Sequence, residues 1–269
     1  MTDLLLSHPL AQSFIHGQNH DMDLLKTSTN ALAPHGLNLV GTTTVTSYEV
    51  MVPPQYHVAS LLPQAKTLVV IGNGGGQFWE GFREYCQNFP NYRQDREHPL
   101  DDYTVAVIEK TLTPILAQSG ARYRYLYPFR FWSEPVSFMH LARTAGLAGP
   151  SILGVVIHPK YGPWMALRAA VLIDQELYTE PVAAGFDPCP TCVERTCITA
   201  CPASAISTET AWDIPRCVQH RLRVTSDCVD YCHARINCVY GREYHYPLEE
   251  LQYHQQFSFR EMKKHFSKE

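Results

Sequence analysis

The sequence predicts a mixed α/β (α+β) chain that gives way to a small region built on cysteine. Three observations carry this. Strand-like and helix-like hydrophobic patterns alternate to about residue 175. Of the 269 residues, 45% are apolar and 18% charged, a balance that supports a packed core. Eight of the nine cysteines fall between Cys189 and Cys238, and only Cys86 lies elsewhere.

The N-terminal MTDLLLSHPLAQ has no basic n-region and a single run of three leucines, so no secretory or twin-arginine signal is expected. Residues 20–33 pattern as a helix ended by Pro34 and Gly36. Leu37–Val45, rich in Thr and Val, predicts a strand. Thr67–Ile71 predicts a second strand, and a helix follows from about Gln77 to Cys86. Between them runs Gly72-Asn-Gly-Gly-Gly. A turn of this kind can offer backbone N–H groups to a phosphate, but its spacing fits neither the dinucleotide fingerprint nor the P-loop. A permissive turn is the plainer reading.

Asp101–Gln118 carries Val105, Ile108, Leu112 and Leu116 at helical spacing, with Pro114 expected to kink or interrupt it. Arg122–Tyr127 alternates with tyrosines and predicts a strand. Pro135 can open a helix running to about Gly146. Ile152–Ile157 and Met165–Ile173 predict two more strands. A boundary is expected near Phe186, giving domains 1–185 and 186–245 and a C-terminal tail, 246–269.

No window approaches the roughly 18 uninterrupted apolar residues of a membrane span. The best candidate, Trp164–Ile173, is short and holds Arg168. The net charge of −4 argues against a nucleic-acid surface. A soluble, cytoplasmic protein with no membrane partner is therefore expected. In a reducing compartment, clustered thiols read as metal ligands rather than disulfides.

The first cysteine group is Cys189-Pro-Thr-Cys192-x4-Cys197-x3-Cys201-Pro202. Bacterial ferredoxins use C-x2-C-x2-C-x3-C-P, where the fourth cysteine serves the other cluster. The chain keeps both ends of that motif and inserts two residues in its middle. Cys217, Cys228, Cys232 and Cys238 follow, in a looser spacing with Val239 where a proline would stand. Four plus four is the count for two 4Fe–4S clusters. By the ferredoxin crossover, Cys189, Cys192 and Cys197 would join Cys238, and Cys201 would join Cys217, Cys228 and Cys232. Structural zinc at two four-cysteine sites is the alternative. Cys86 reads as a small buried apolar residue.

Two stretches before the cysteines carry a resemblance. Tyr48-Glu-Val-Met-Val-Pro53-Pro54-Gln-Tyr-His57 and Ile157-His158-Pro159-Lys-Tyr-Gly162-Pro-Trp164-Met-Ala-Leu-Arg168 resemble segments of the methylmalonic aciduria and homocystinuria type C protein, which processes cobalamin. Pro135-Val-Ser-Phe-Met-His-Leu-Ala-Arg-Thr-Ala-Gly146, with the cysteine motif, is similar to epoxyqueuosine reductases and reductive dehalogenases. The resemblance implies a nitroreductase-like corrinoid-binding domain beside a ferredoxin-like domain with two 4Fe–4S clusters. It also implies cobalamin bound without a histidine in place of its lower base. Epoxyqueuosine reductases have an acidic residue three positions before the motif's proline; that position here is Trp132. Their longer C-terminal tRNA-binding region is not expected to have a counterpart here.

Candidate cofactor-binding residues are His158, Trp164 and Arg168. A neutral imidazole can ligate cobalt or bond a corrin amide, or can simply cap a strand end. An arginine on an apolar strand needs a partner, either a carboxylate of the protein or an anionic ligand. The resemblance implies glutathione as one such anion. Trp164 and the tyrosines Tyr123, Tyr125 and Tyr127 could line a flat macrocycle or form core. Candidate proton donors are Tyr48, Tyr127 and Glu134.

The expected function is that of a corrinoid-dependent iron–sulfur oxidoreductase. An external donor (ferredoxin, flavodoxin or a flavoprotein) would supply electrons for a small-molecule substrate or for cobalamin itself. An electron carrier, a cobalamin-processing protein and a zinc-stabilised binding module are the alternatives.

Overall fold

The computed structural model describes residues 24–223 and 226–266. The N-terminal stretch read above, residues 20–23 of the first predicted helix and the last three residues lie outside them.

A four-stranded sheet forms the centre. Its strands are β1 (Leu39–Thr44), β2 (Thr67–Gly74), β3 (Tyr123–Leu126) and β4 (Met165–Ile173), in the order β1-β2-β4-β3. Every pairing is antiparallel. The fold is thus α+β, although alternating strands and helices would equally suit a parallel sheet.

Both faces of the sheet are covered, which explains why β2 reads as a nearly continuous apolar run. Val69, Ile71, Val171 and Ile173 point to one face. There they meet α1 (residues 24–32), α3 (Gln77–Asn88) and α4 (Pro99–Gln118). Leu68, Val70, Ala170 and Leu172 point to the other. They meet α2 (Val45–Glu49) and α5 (Phe138–Thr144). The alternation is the period of two that a strand imposes.

Several expectations are corrected. Pro114 does not interrupt α4, which is continuous through it. The proline is exposed, so water can take the carbonyl that its missing N–H leaves free. The helix predicted from Pro135 begins at Phe138, and Ser137 is its N-cap. Ile152–Ile157 is not a strand; only Ile157 bridges, to Gly149. Ser151 Oγ donates to the Val155 carbonyl across a tight turn at 2.5 Å, and Gly154 takes φ 74° where Trp212 packs against it. β2 runs on through Gly74, so the first three residues of the glycine run are strand.

The cysteine region has short elements: α6 (Thr196–Thr199), β5 (Ile206–Ser207), β6 (Ala211–Trp212), α7 (Ile214–Arg221) and α8 (His233–Ile236). Its apolar cluster is small, with Cys197, Ile206 and Ala234 as its buried members. A core of that size is normally stapled by a metal or by disulfides. Residues 246–269, expected as a tail, carry a long helix, α9 (Leu248–Phe266). Acids in its first turn and bases in its last suit the helix dipole. Tyr253 of α9 packs on Trp79 and Phe82 of α3, with ring centroids 5.0 and 5.8 Å away.

Two glycines join the cysteine region to the sheet. Gly162 (φ 57°) and Gly241 (φ 66°) bring their backbones together; a Cβ on Gly162 would fall 2.1 Å from the Tyr240 carbonyl oxygen. Only glycine allows both the conformation and the approach.

Candidate functional site

The eight clustered cysteines fall into two groups of four. Cys189 and Cys192 sit on the loop before α6, Cys197 on α6, and Cys238 two residues past α8. Burial pushes the Cys197 thiol up to about 11, and the neighbouring Cys238, Cys189 and Cys192 push in the same direction. These four line one small cavity, together with Ile152 and Leu153. The Thr196 hydroxyl donates to the Asn237 carbonyl and so ties the start of α6 to the residue before Cys238.

The second group comprises Cys201, Cys217 on α7, Cys228, and Cys232 at the N-cap of α8. Cys228 is pushed up to about 11, first by burial and then by Cys232, Cys217 and Cys201. The buried Arg221 faces this group and acts against that rise. Its guanidinium also donates to Ser258 Oγ (3.0 Å) and the Gln255 carbonyl (3.1 Å), while Gln255 Nε2 donates to the Cys228 carbonyl (2.7 Å). Helix α9 is thereby fastened to the second group. Among the described residues, no three His, Cys, Asp or Glu side chains are disposed to hold a single metal ion.

Helix α9 also borders a large open cleft of about 600 Å³. The N-terminal end of α4 (Asp101, Asp102) and the loop after β3 (Phe129, Phe131, Trp132) complete its walls. Trp132 is 82% exposed at this rim.

Arg168 lies in the cleft lining. Ile71 pairs with Ala169 but Gly72 pairs with Leu167, so Arg168 is the extra residue of a β-bulge. The bulge re-aims the side chain over the Phe78 ring, 4.6 Å from its centroid. Its Nε donates to Asn73 Oδ1 at 2.6 Å. Asn73 is itself buried, and its amide donates to the Gly75 carbonyl. Burial lowers the guanidinium's pKa, and the neighbouring Tyr246, Glu250 and Asp101 raise it.

The other predicted residues are scattered. His158 is buried in its turn, where its Nδ1 accepts the Lys160 and Tyr161 N–H groups (3.0 and 3.2 Å). Burial pushes its pKa down to about 4. Trp164 is fully buried, with His245 4.3 Å away and the Arg235 guanidinium over its ring. It lines a narrow cavity shared by Cys232, Arg235, His254 and Gln255. Tyr48 is buried on the opposite face of the sheet, where its hydroxyl accepts the Ser137 N–H (2.8 Å) and burial pushes it up to about 12. Tyr127 donates to Glu109 (3.1 Å) beneath Phe129, and burial raises its pKa. Glu134 takes an ion pair from Arg124. These three candidate proton donors are not brought together.

Sequence reading missed Asn73, Arg221, Glu250 and His254. A polar residue inside β2 was a usable signal for Asn73. Glu250 and His254, four apart on one helix face, gave a weaker one.

No protein-family model matches the chain, and no curated protein sequence does. Solved structures do. An epoxyqueuosine reductase from Streptococcus thermophilus overlays with a TM-score of 0.54 at 17% identity, over 83% of this chain and 66% of that one. The C. elegans B12-trafficking protein CblC, a human MMACHC homologue, overlays with a TM-score of 0.53 at 14% identity, over 88% of this chain and 96% of that one. The catabolic reductive dehalogenase NpRdhA gives 0.49 at 16% identity, over 85% and 34% of the two chains. The chain therefore shares the fold of the first two, and the structural neighbours are the proteins to which the sequence motifs pointed. It spans just under two thirds of the reductase's length.

Proposed function

We propose that the protein is a corrinoid-dependent iron–sulfur oxidoreductase. In this reading each cysteine group holds one 4Fe–4S cluster, and the cleft beside α9 takes the corrinoid. The observation that carries it is the sorting of eight thiols into two fours, one of them fastened through α9 to a large cleft.

The residues fit the groups. An iron–sulfur cube takes four thiolates, and each group brings four thiols close enough for three of them to act on the fourth, Cys197 in one group and Cys228 in the other. The cleft, at about 600 Å³, falls within the roughly 300–1,000 Å³ of small-molecule sites, and its walls mix aromatic and charged side chains. When bound, the corrinoid would supply a reducing cobalt centre and the clusters one-electron carriers to it.

The chain's own residues position and insulate. Arg221 offsets thiolate charge at the second group. Asn73 holds Arg168 in the cleft lining. The narrow cavity that Cys232 shares with His254 makes the second group the nearer one to the cleft. The first group is then the entry point for an external donor, a ferredoxin, flavodoxin or flavoprotein. The likeness to an epoxyqueuosine reductase supports a reductase.

One observation favours a second reading. The chain covers 96% of the B12-trafficking neighbour, so removal of cobalamin's own upper ligand is the alternative reaction. Glutathione would be its natural co-substrate.

The test is anaerobic preparation from cobalamin-supplemented cells, with metal and sulfide analysis. About eight irons per chain, with matching sulfide and a brown absorbance bleached by dithionite, are expected. Stoichiometric zinc without iron would end the redox reading. Hydroxocobalamin that keeps its free spectrum and elutes apart from the protein would end the corrinoid reading. Loss of cobalamin's upper ligand with no organic substrate present would favour the second reaction.

A further inference from the structure

Glu250 stands on the first turn of α9, an ordinary place for an acid. Its surroundings are not ordinary. The side chain is 1% exposed, and neither carboxyl oxygen has a hydrogen-bond partner among the described residues. Oε2 lies against Gly76 at the start of α3, 4.0 Å from where a Cβ would be. Oε1 lies 3.7 Å from His254 Nε2, one turn along the helix. His254 in turn is 31% exposed and borders the cleft.

The groups that face the Glu250 carboxyl come from every neighbouring element. They are Arg168 of β4, Arg235 of α8, Glu80 of α3, His254 of α9 and Tyr246 just before it. Neither arginine is within ion-pair distance of it. A buried carboxylate with no donor is costly, whereas a neutral carboxylic acid is not.

We propose that Glu250 and His254 form a proton relay into the cleft, with the Glu250 carboxyl as the donor and the His254 imidazole as the carrier. The proposal rests on the cleft being the site of a reduction, since reductive bond cleavage takes up protons as well as electrons. In one transfer the Glu250 O–H bond breaks and a bond to His254 Nε2 forms. The proton on His254 Nδ1 leaves for the substrate atom that has received an electron pair, which the external protein donor replaces. Glu250 is then reprotonated from solvent through the same imidazole. The 3.7 Å separation is of the loose kind that such pairs close when substrate binds. Burial, which pushes Glu250 up to about 8 and His254 down to about 3, suits a protonated donor beside a neutral carrier.

Infrared difference spectroscopy on the full chain tests the donor without any activity. The expected result is the carbonyl stretch of a protonated carboxyl at pH 7, shifted in D2O and lost in Glu250→Gln. Absence of the band, or its survival in that variant, overturns the proposal. His254→Phe tests the carrier. The band should persist while its exchange with D2O slows by about tenfold or more, and unchanged exchange overturns the relay. Glu250→Gln is nearly isosteric, and Glu250→Asp, which keeps the acid, should restore the band if the amide perturbs folding. In protein loaded with iron and cobalamin, Glu250→Gln should keep both contents and lose about 100-fold in substrate reduction. Failure of the wild type to load would instead strike the proposed function and leave the infrared result standing.

Discussion

Arg168 donates its Nε–H to Asn73 Oδ1 at 2.6 Å, across the point where a bulge in β4 breaks the strand's alternation. The pair solves a problem posed by the sequence, a guanidinium on an apolar strand. The solution is a neutral amide, not the carboxylate that charge alone would suggest. Asn73→Ala strips the buried Nε of its acceptor and should cost about 2 kcal/mol. Urea denaturation at neutral pH should show a lower midpoint with an unchanged slope. Asn73→Asp should be tolerated better than Ala, since it keeps an acceptor and adds an opposite charge.

Trp132 gives the cleft an optical reporter. It is 82% exposed, whereas Trp79 and Trp164 are buried and Trp212 is partly buried in the cysteine region. Acrylamide quenching of the free protein should therefore be dominated by Trp132. A corrinoid seated in the cleft should shield it, and Trp132→Phe should abolish the difference between free and loaded protein. Equal quenching of Trp132 in the two states would place the corrinoid elsewhere.

Sequence and structure agree best where the signal is local. Thr67–Ile71 and Met165–Ile173 were legible because both faces of β2 and β4 are buried, which makes apolar runs. The cysteines were legible as an ordered set because a tight loop with Cys-Pro steps constrains its own spacing. Ile152–Ile157 misled because its apolar residues serve a turn that roofs the first cysteine group. Glu250 carried only the weak mark of its spacing to His254: the groups that surround it, Arg168, Arg235 and Glu80, are remote in sequence.

The dependence of stability on pH follows from three groups that burial shifts, wholly or in part. Glu250 is raised from 4.5 to about 8, so between those values the folded state holds a proton that the unfolded state has released. That contribution falls as pH rises. His158 and His254 are lowered from 6.5 to about 4 and about 3, so below 6.5 the unfolded state binds protons that the folded state refuses. Their contribution rises with pH and is complete above 6.5. Stability should climb to about pH 6.5 and then decline towards 8, by at most about 1.4 kcal/mol per pH unit. Anaerobic denaturation across that range should show the decline in wild type and a flat limb in Glu250→Gln.

The crossover of the cysteines makes the sharpest prediction, because adjacent residues of one motif are assigned to different clusters. Cys197 and Cys201 are four residues apart, yet Cys197 faces Cys189, Cys192 and Cys238, while Cys201 is among the thiols that push on Cys228 and Cys217. Cys197→Ala and Cys238→Ala should damage the same cluster although 41 residues separate them. Cys201→Ala and Cys232→Ala should damage the other. Each single variant should retain roughly half the iron, and the reduced paramagnetic spectra should fall into two classes along that division. The double variant Cys197→Ala/Cys238→Ala should lose no more iron than either single. The double variant Cys197→Ala/Cys201→Ala should lose nearly all of it, because it strikes both groups from a single turn of chain. If instead the neighbours behave as one class and the distant pair as two, the clusters are local to each motif. Helix α9 would then reach the cleft from a site unlike the one that Gln255 and Arg221 anchor.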